Sequence, residues 1–305
     1  MTYENFIEEL LADLTLRFPE DTGFLIKRIL KNNSLSMDGL LITDPSINIS
    51  PTIYLPRYYE DYIGGKSISN ICDELVTCYE KYKVSQSIDI SFFTDFSRVK
   101  DNIILKLIHT ESNGELLQGI PHITYYDLSV VFCYYVPANT CAVASEETNA
   151  TILIRNEHIA CWNETAESLF ALAKENSPRL FPPQMQRLPE LLAEIWGDLP
   201  EEDTAMDDLS EQIPLYVLTN RSRFFGAGAL LYEGMLEQCA KKLGSRFYVI
   251  PSSIHEVLLL PLSQDIYEED LNEMIQEVNC HHVAIDEVLS DHVYLYDSQE
   301  HSFTF

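Results

Sequence analysis

The chain has 305 residues, 46% hydrophobic and 11% aromatic, which excludes extensive disorder. That length allows about two domains. The 48 acidic residues outnumber 20 basic ones, a formal net charge of −28. Such a surface repels phosphates and disfavours direct contact with nucleic acid or with an anionic membrane.

The charge is uneven. Residues 1–106 hold 16 acids and 11 bases, whereas residues 107–305 hold 32 and 9. After Arg246 there are 12 acids and no Lys or Arg. Self-repulsion of this kind keeps a protein soluble. It also suits a protein partner with a basic face. The N-terminal MTYENFIEELLADL lacks a basic and an apolar stretch, so it does not read as a signal peptide. The apolar run VVFCYYV is far shorter than the about 20 residues of a membrane helix. Seven cysteines, none in CxxC, read as reduced and mainly buried thiols of a cytoplasmic protein.

In chain order, Phe6, Leu10, Leu11 and Leu14 predict an amphipathic helix capped by Thr2. FLIKRIL and LSMDGLLIT flank Asn32-Asn33 as a hairpin, and NISPTIYLP is a third strand. Ser67 or Ser69 caps a helix with Ile71, Cys72, Leu75 and Tyr79 on one face. Val99, Ile103, Ile104, Leu107 and Ile108 match helical spacing. YYDLSVVFCYYV and NATILIRN are strands, and Asn163 caps a helix that Pro178, Pro182 and Pro183 end. RLPELLAEIWGDL is a short helix, followed by the acidic loop LPEEDTAMDDLSEQIP. IPLYVLTN, GAGALLY and RFYVIP are strands, with a helix from Met235 ended by Gly244. Leu271, Met274, Ile275 and Val278 mark the last helix, and a hairpin at Asp297-Ser298 closes the chain.

SPTIYLPRYYEDY, NATILIRNEHIAC and AGALLYEGMLEQC each read as a strand leading into a helix. The predicted architecture is therefore α+β, with repeated strand-strand-helix modules and antiparallel sheets. The modules divide at 1–115, 116–205 and 206–305, the last two able to pack as one domain.

Four stretches carry residue types used in chemistry. PSSIHE holds Ser252, Ser253, His255 and Glu256. A catalytic triad converges in space rather than in sequence, and the Gly-x-Ser-x-Gly elbow is missing. Ser253 and Glu256 instead fit a capping box in a chain reversal. GGKS at 64–67 lacks the earlier glycine of a phosphate loop and reads as a helix–helix turn with a serine cap. Cys280, His281 and His282 are metal-ligand types, of which Cys280 and His282 are the candidates. Adjacent side chains diverge, so a helix C-terminus accounts for them better. NRSRFFGAG places Arg221 and Arg223, which can bind an anion or pair with the chain's own carboxylates, beside Gly226 and Gly228, which permit close backbone approach.

Several segments together resemble a known family. They are ISPTIYL with YYEDY, IPHITYYDLSVVF, NATILIRNEHIACW with SPRLFP, YVLTN, FGAGALLY, LGSRFYVIPSSIHEVLLLP and VLSDHVYLY. These resemble the recurring segments of the bacterial domain-of-unknown-function family number 5688. The resemblance spans almost the whole chain and implies a bacterial intracellular protein. It carries no activity, ligand or catalytic residue over to this sequence.

The expectation from sequence is thus a cytoplasmic, non-enzymatic binding protein without a cofactor, whose partner is a protein. Two alternatives stand beside it. One is a hydrolase using Ser252 or Ser253 with His255. The other is an acidic mimic of nucleic acid that inhibits a basic protein.

Overall fold

A computed structural model describes residues 2–48, 50–83, 90–137, 150–196, 214–251, 253–263 and 266–304. The acidic stretch 197–213 and Ser252 lie outside the described residues. The chain forms two compact units that interleave in sequence. The first comprises Met1–Lys31, Leu35–Phe93 and Val136–Thr151; the second comprises Asn32–Ser34, Thr94–Tyr135 and Ile152–Phe305.

In the first unit, helix α1 (Tyr3–Arg17) begins at Thr2, whose hydroxyl accepts the Asn5 N–H. Strands β1 (Gly23–Leu30), β2 (Ser36–Thr43) and β3 (Thr52–Tyr54) form an antiparallel sheet in that order. Helix α2 (Pro56–Ile63) follows, then α3 (Ile68–Tyr82). The GGKS stretch is the turn between them. Gly65 takes φ 100, Ser67 caps α3, and Lys66 pairs with Asp61 and Glu74 at 3.0 and 2.8 Å. The core is one layer of side chains between the two long helices and the sheet. Phe6, Leu10 and Leu14 of α1 meet Leu40 and Ile42 of β2 and Ile71, Leu75 and Tyr79 of α3. Each such aliphatic burial stabilises by about 2 kcal/mol, which is why the helical and strand periodicities here read correctly from sequence.

The second unit contains two antiparallel sheets. Short helix α4 (Phe96–Val99) leads to β4 (Ile103–His109), and α5 (Gly114–Gln118) precedes β5 (His122–Tyr125) and β6 (Leu128–Val136). Strand β6 lies between β4 and β5, and β7 (Ala150–Leu153) also pairs with it. Helices α6 (Asn156–Trp162) and α7 (Ala166–Leu180) follow, then β8 (Pro183–Arg187) and α8 (Leu188–Trp196). The six-stranded sheet is completed by β9 (Tyr216–Asn220), β10 (Arg246–Ile250), β11 (Val257–Pro261), β12 (Tyr294–Asp297) and β13 (Ser302–Thr304). Its strand order is β13-β12-β10-β11-β9-β8. Helices α9 (Met235–Leu243) and α10 (Glu268–His281) connect these strands. The protein is therefore α+β with antiparallel sheets, and the closing hairpin at Asp297-Ser298 is present as β12 and β13.

Several local expectations are corrected. Ile103–Ile108 is strand β4, not a helix, because it is covered on both faces and so shows no alternation. GAGALL is a 3-10 turn at Gly226–Leu231 rather than a strand, so the third of the three look-alike pieces lacks the expected strand. Asn163 ends α6 in the left-handed region (φ 56), and Thr165 caps α7 by accepting the Ser168 N–H at 3.2 Å. Pro178 lies inside α7, whose last turns are tied to β4. Asn176 Nδ2 donates to the carbonyls of Lys100 and Ile103, and the Leu105 N–H donates to Ser177 Oγ. These side-chain bonds hold the helix past a residue that ordinarily breaks it. Strand β8 (PQMQR) is polar and carries no apolar signal; the pairing of Pro183–Arg187 with Asn220–Tyr216 recruits it.

Cys72, Cys133 and Cys239 are buried, and burial pushes their thiols up to about 11, about 11 and about 12. Cys161 and Cys280 are exposed. The thiolate is the reactive form. Among the described cysteines, native protein should therefore be labelled by an alkylating reagent first at Cys161 and Cys280, with the three buried thiols labelled only after denaturation. Peptide mapping by mass spectrometry reads this directly, and rapid native labelling of Cys239 would contradict the buried placement.

Candidate functional site

Two of the stretches with chemical residue types meet in the second unit. The NRSRFFGAG loop follows β9, and PSSIHE is the turn between β10 and β11. Asn220 organises the loop from inside: its Oδ1 accepts the N–H groups of Ser222 and Phe224, and its Nδ2 donates to Phe224 O. Arg223 (φ 49) and Phe225 (φ 52) both sit in the left-handed region, an arrangement that costs L-residues conformational energy and that these contacts hold. The fold then brings the loop against the turn. Thr219 Oγ1 donates to His255 O at 2.7 Å, and the Phe225 N–H donates to His255 Nδ1 at 3.3 Å. Gly226 is packed so closely that a Cβ there would lie 2.2 Å from His255 O.

Ser253, His255 and Glu256 of the turn have defined partners. Ser253 is buried; its Oγ donates to Glu256 Oε1 at 2.5 Å and accepts the His255 N–H at 3.0 Å. The Ser253 N–H closes the reversal on Glu256 O at 3.3 Å. Ser253 and Glu256 are thus paired three residues apart, in a bend rather than at a helix start. Because His255 Nδ1 accepts a main-chain N–H, the neutral ring carries its proton on Nε2. Nε2 lies 3.7 Å from Glu287 Oε1, and the Phe225 ring lies nearly parallel to the imidazole at 17°. The arrangement as it stands joins loop to turn: the Ser253 proton is directed at Glu256, the imidazole at Phe225 and Glu287.

Arg223 lies 3.6 Å from Glu194 of α8. Arg221 is exposed, and its main-chain N–H donates to Pro182 O. Cys280 and His282 are exposed at the end of α10, and His281 Nδ1 contacts Glu277 O at 2.9 Å. Among the described residues no group of three His, Cys, Asp or Glu is placed to share a metal ion.

A second polar cluster escaped the reading of the sequence. Asp127, in the turn between β5 and β6, accepts hydrogen bonds from the Tyr294 hydroxyl and, at 2.6 Å, from Ser290 Oγ. His109 Nε2 lies 3.8 Å from the same carboxylate. Burial, and then the Asp127 carboxylate, raises the Tyr294 phenol far above the ordinary tyrosine range, so it stays a donor. Around it the rings of Tyr125, Tyr126, Tyr294 and Phe303 pack against one another, leaving a void of about 10 Å³. Asp127 lies more than 160 positions before Ser290 and Tyr294, and no local spacing announces the cluster.

An antiparallel α+β architecture with a loop–turn junction of this kind defines a structural class but not a reaction. The sequence profile of a family of unknown function, DUF5688, matches residues 3–298, and the chain belongs to that family. No curated protein and no solved structure matches the chain. No helix among the described residues is long and apolar enough to cross a membrane.

Proposed function

We propose that this is a cytoplasmic, non-enzymatic binding protein whose partner is a protein with a basic face. The observation that carries this reading is the charge distribution: 12 acids and no Lys or Arg after Arg246. A surface of one sign steers oppositely charged partners and speeds their encounter. The commitment of Ser253 to Glu256, and of the His255 ring to Phe225, favours a structural use of Ser253 and His255 over a catalytic one.

The test is capture of partners by the tagged protein at low and at moderate ionic strength. A basic protein recovered in stoichiometric amount and released as salt rises is the expected result, because exposed charges are screened beyond about 10 Å at 0.1 M. The Ser253→Ala variant should retain that partner. Recovery of no basic protein at low salt, together with an esterase or peptidase activity that Ser252→Ala or Ser253→Ala abolishes, would overturn the reading in favour of a hydrolase.

A further inference from the structure

Leu271, Met274, Ile275 and Val278 share helical spacing, and an amphipathic helix of a lone domain buries such a set. Helix α10 buries only half of it. Leu271 and Ile275 pack against Tyr248, Ile250 and Leu260 of the six-stranded sheet and against Val293, just before β12. Met274 and Val278 remain 47% and 38% exposed, and Tyr267, at the N-cap, is 63% exposed. At about 100° per residue, positions 267, 274 and 278 fall within about 40° of one another. They form a narrow apolar stripe along the edge of the buried seam. The far side of the stripe is lined by Asp270, Glu273 and Glu277, all exposed. Among the described residues none of these three carboxylates forms an ion pair.

We infer that this edge of α10 docks an amphipathic helix of the partner, one with apolar residues at i, i+3/i+4 and i+7 flanked by Lys or Arg. The inference rests on the function proposed above and names its surface. An apolar stripe supplies the contact that excludes water, and the carboxylate row selects the charge of what lies beside it. The same row argues against the other occupants. A second copy packed face to face would set Asp270 and Glu277 against their own duplicates, and an anionic lipid surface would meet like charge.

The experiment uses the full chain and a fluorescent Leu/Lys peptide of about four helical turns with that apolar spacing, titrated by anisotropy at low and moderate salt. A scrambled peptide of equal composition is the control. The amphipathic peptide should bind about tenfold or more tightly than the scrambled one, and M274E/V278E should remove that advantage. Both substitutions lie on exposed positions, so circular dichroism should show an unchanged fold. D270N/E277Q should weaken binding and flatten its salt dependence. Equal binding of the two peptides, or binding unchanged in M274E/V278E, would overturn the α10 surface while leaving a basic partner in place. Failure of the wild type to bind either peptide at low salt would count against the basic-partner reading itself. Concentration-dependent dimerisation that M274E/V278E abolishes would assign the stripe to a second copy and overturn the proposal.

Discussion

Replacing Gly226 by alanine is expected to cost about 3 kcal/mol, at the upper end for overpacking a single methyl group. The added Cβ would lie 2.2 Å from His255 O, 2.2 Å from Thr219 Oγ1 and 3.0 Å from Asn220 N. Two of those atoms belong to the main chain, and His255 O is already held by Thr219 at 2.7 Å. Relief therefore requires the loop after β9 and the turn after β10 to separate, which breaks the Phe225–His255 hydrogen bond. Two controls sharpen the result. At Gly228 the new Cβ would meet Leu105 Cδ1 at 2.4 Å, the end of a flexible side chain, so Gly228→Ala should cost only about 1 kcal/mol. At Gly114 nothing lies within 4 Å, and Gly114→Ala should change stability by less than about 0.5 kcal/mol. Urea denaturation measures all three as shifts of midpoint at constant slope. Equal midpoints for Gly226→Ala and Gly114→Ala would mean that loop and turn are not in contact.

The second large effect is expected at Asp127. Its carboxylate accepts from two hydroxyls that are themselves buried, Ser290 at 2% and Tyr294 at 4% exposure. Asp127→Ala leaves both donors without their acceptor, and an unsatisfied buried donor costs roughly 1–3 kcal/mol. The loss should total about 3 kcal/mol. Asp127→Asn keeps one oxygen acceptor and should lose about half as much. Ser290→Ala and Tyr294→Phe remove the donors instead, so each combined with Asp127→Ala should add little further loss. A double-mutant cycle measures that non-additivity. Additive losses would mean that the three side chains do not form one network.

Where local periodicity and burial agree, the sequence was legible. Helix α1 with its Thr2 cap, the β1–β2 hairpin, α3 and the β12–β13 hairpin each bury one face, so apolar spacing reports the element directly. The same logic identified GGKS as a turn, because glycine at φ 100 and a serine cap are local requirements. It failed where burial is two-sided or the element is polar. Strand β4 is covered on both faces and so mimics a helix, whereas β8 is named only by its pairing with β9. It failed also where side chains overrode propensity: Pro178 stays helical because Asn176 and Ser177 bind β4.

The amino-acid sequence by itself determined the α+β class, the family and the acidic C-terminal half, because composition, periodicity and charge are properties of the chain at short range. It also marked Gly226 as a site of close backbone approach and PSSIHE as a reversal. Only the tertiary structure decided what those features meet. It seated Gly226 on His255 O, turned the Ser253 proton toward Glu256, and gathered Asp127 with Ser290 and Tyr294. It left Met274 and Val278 of α10 uncovered although their spacing matches that of Leu271 and Ile275. The reason is physical: which apolar face is buried, and which donor finds which acceptor, depends on partners far away in sequence whose arrival only the folded chain settles.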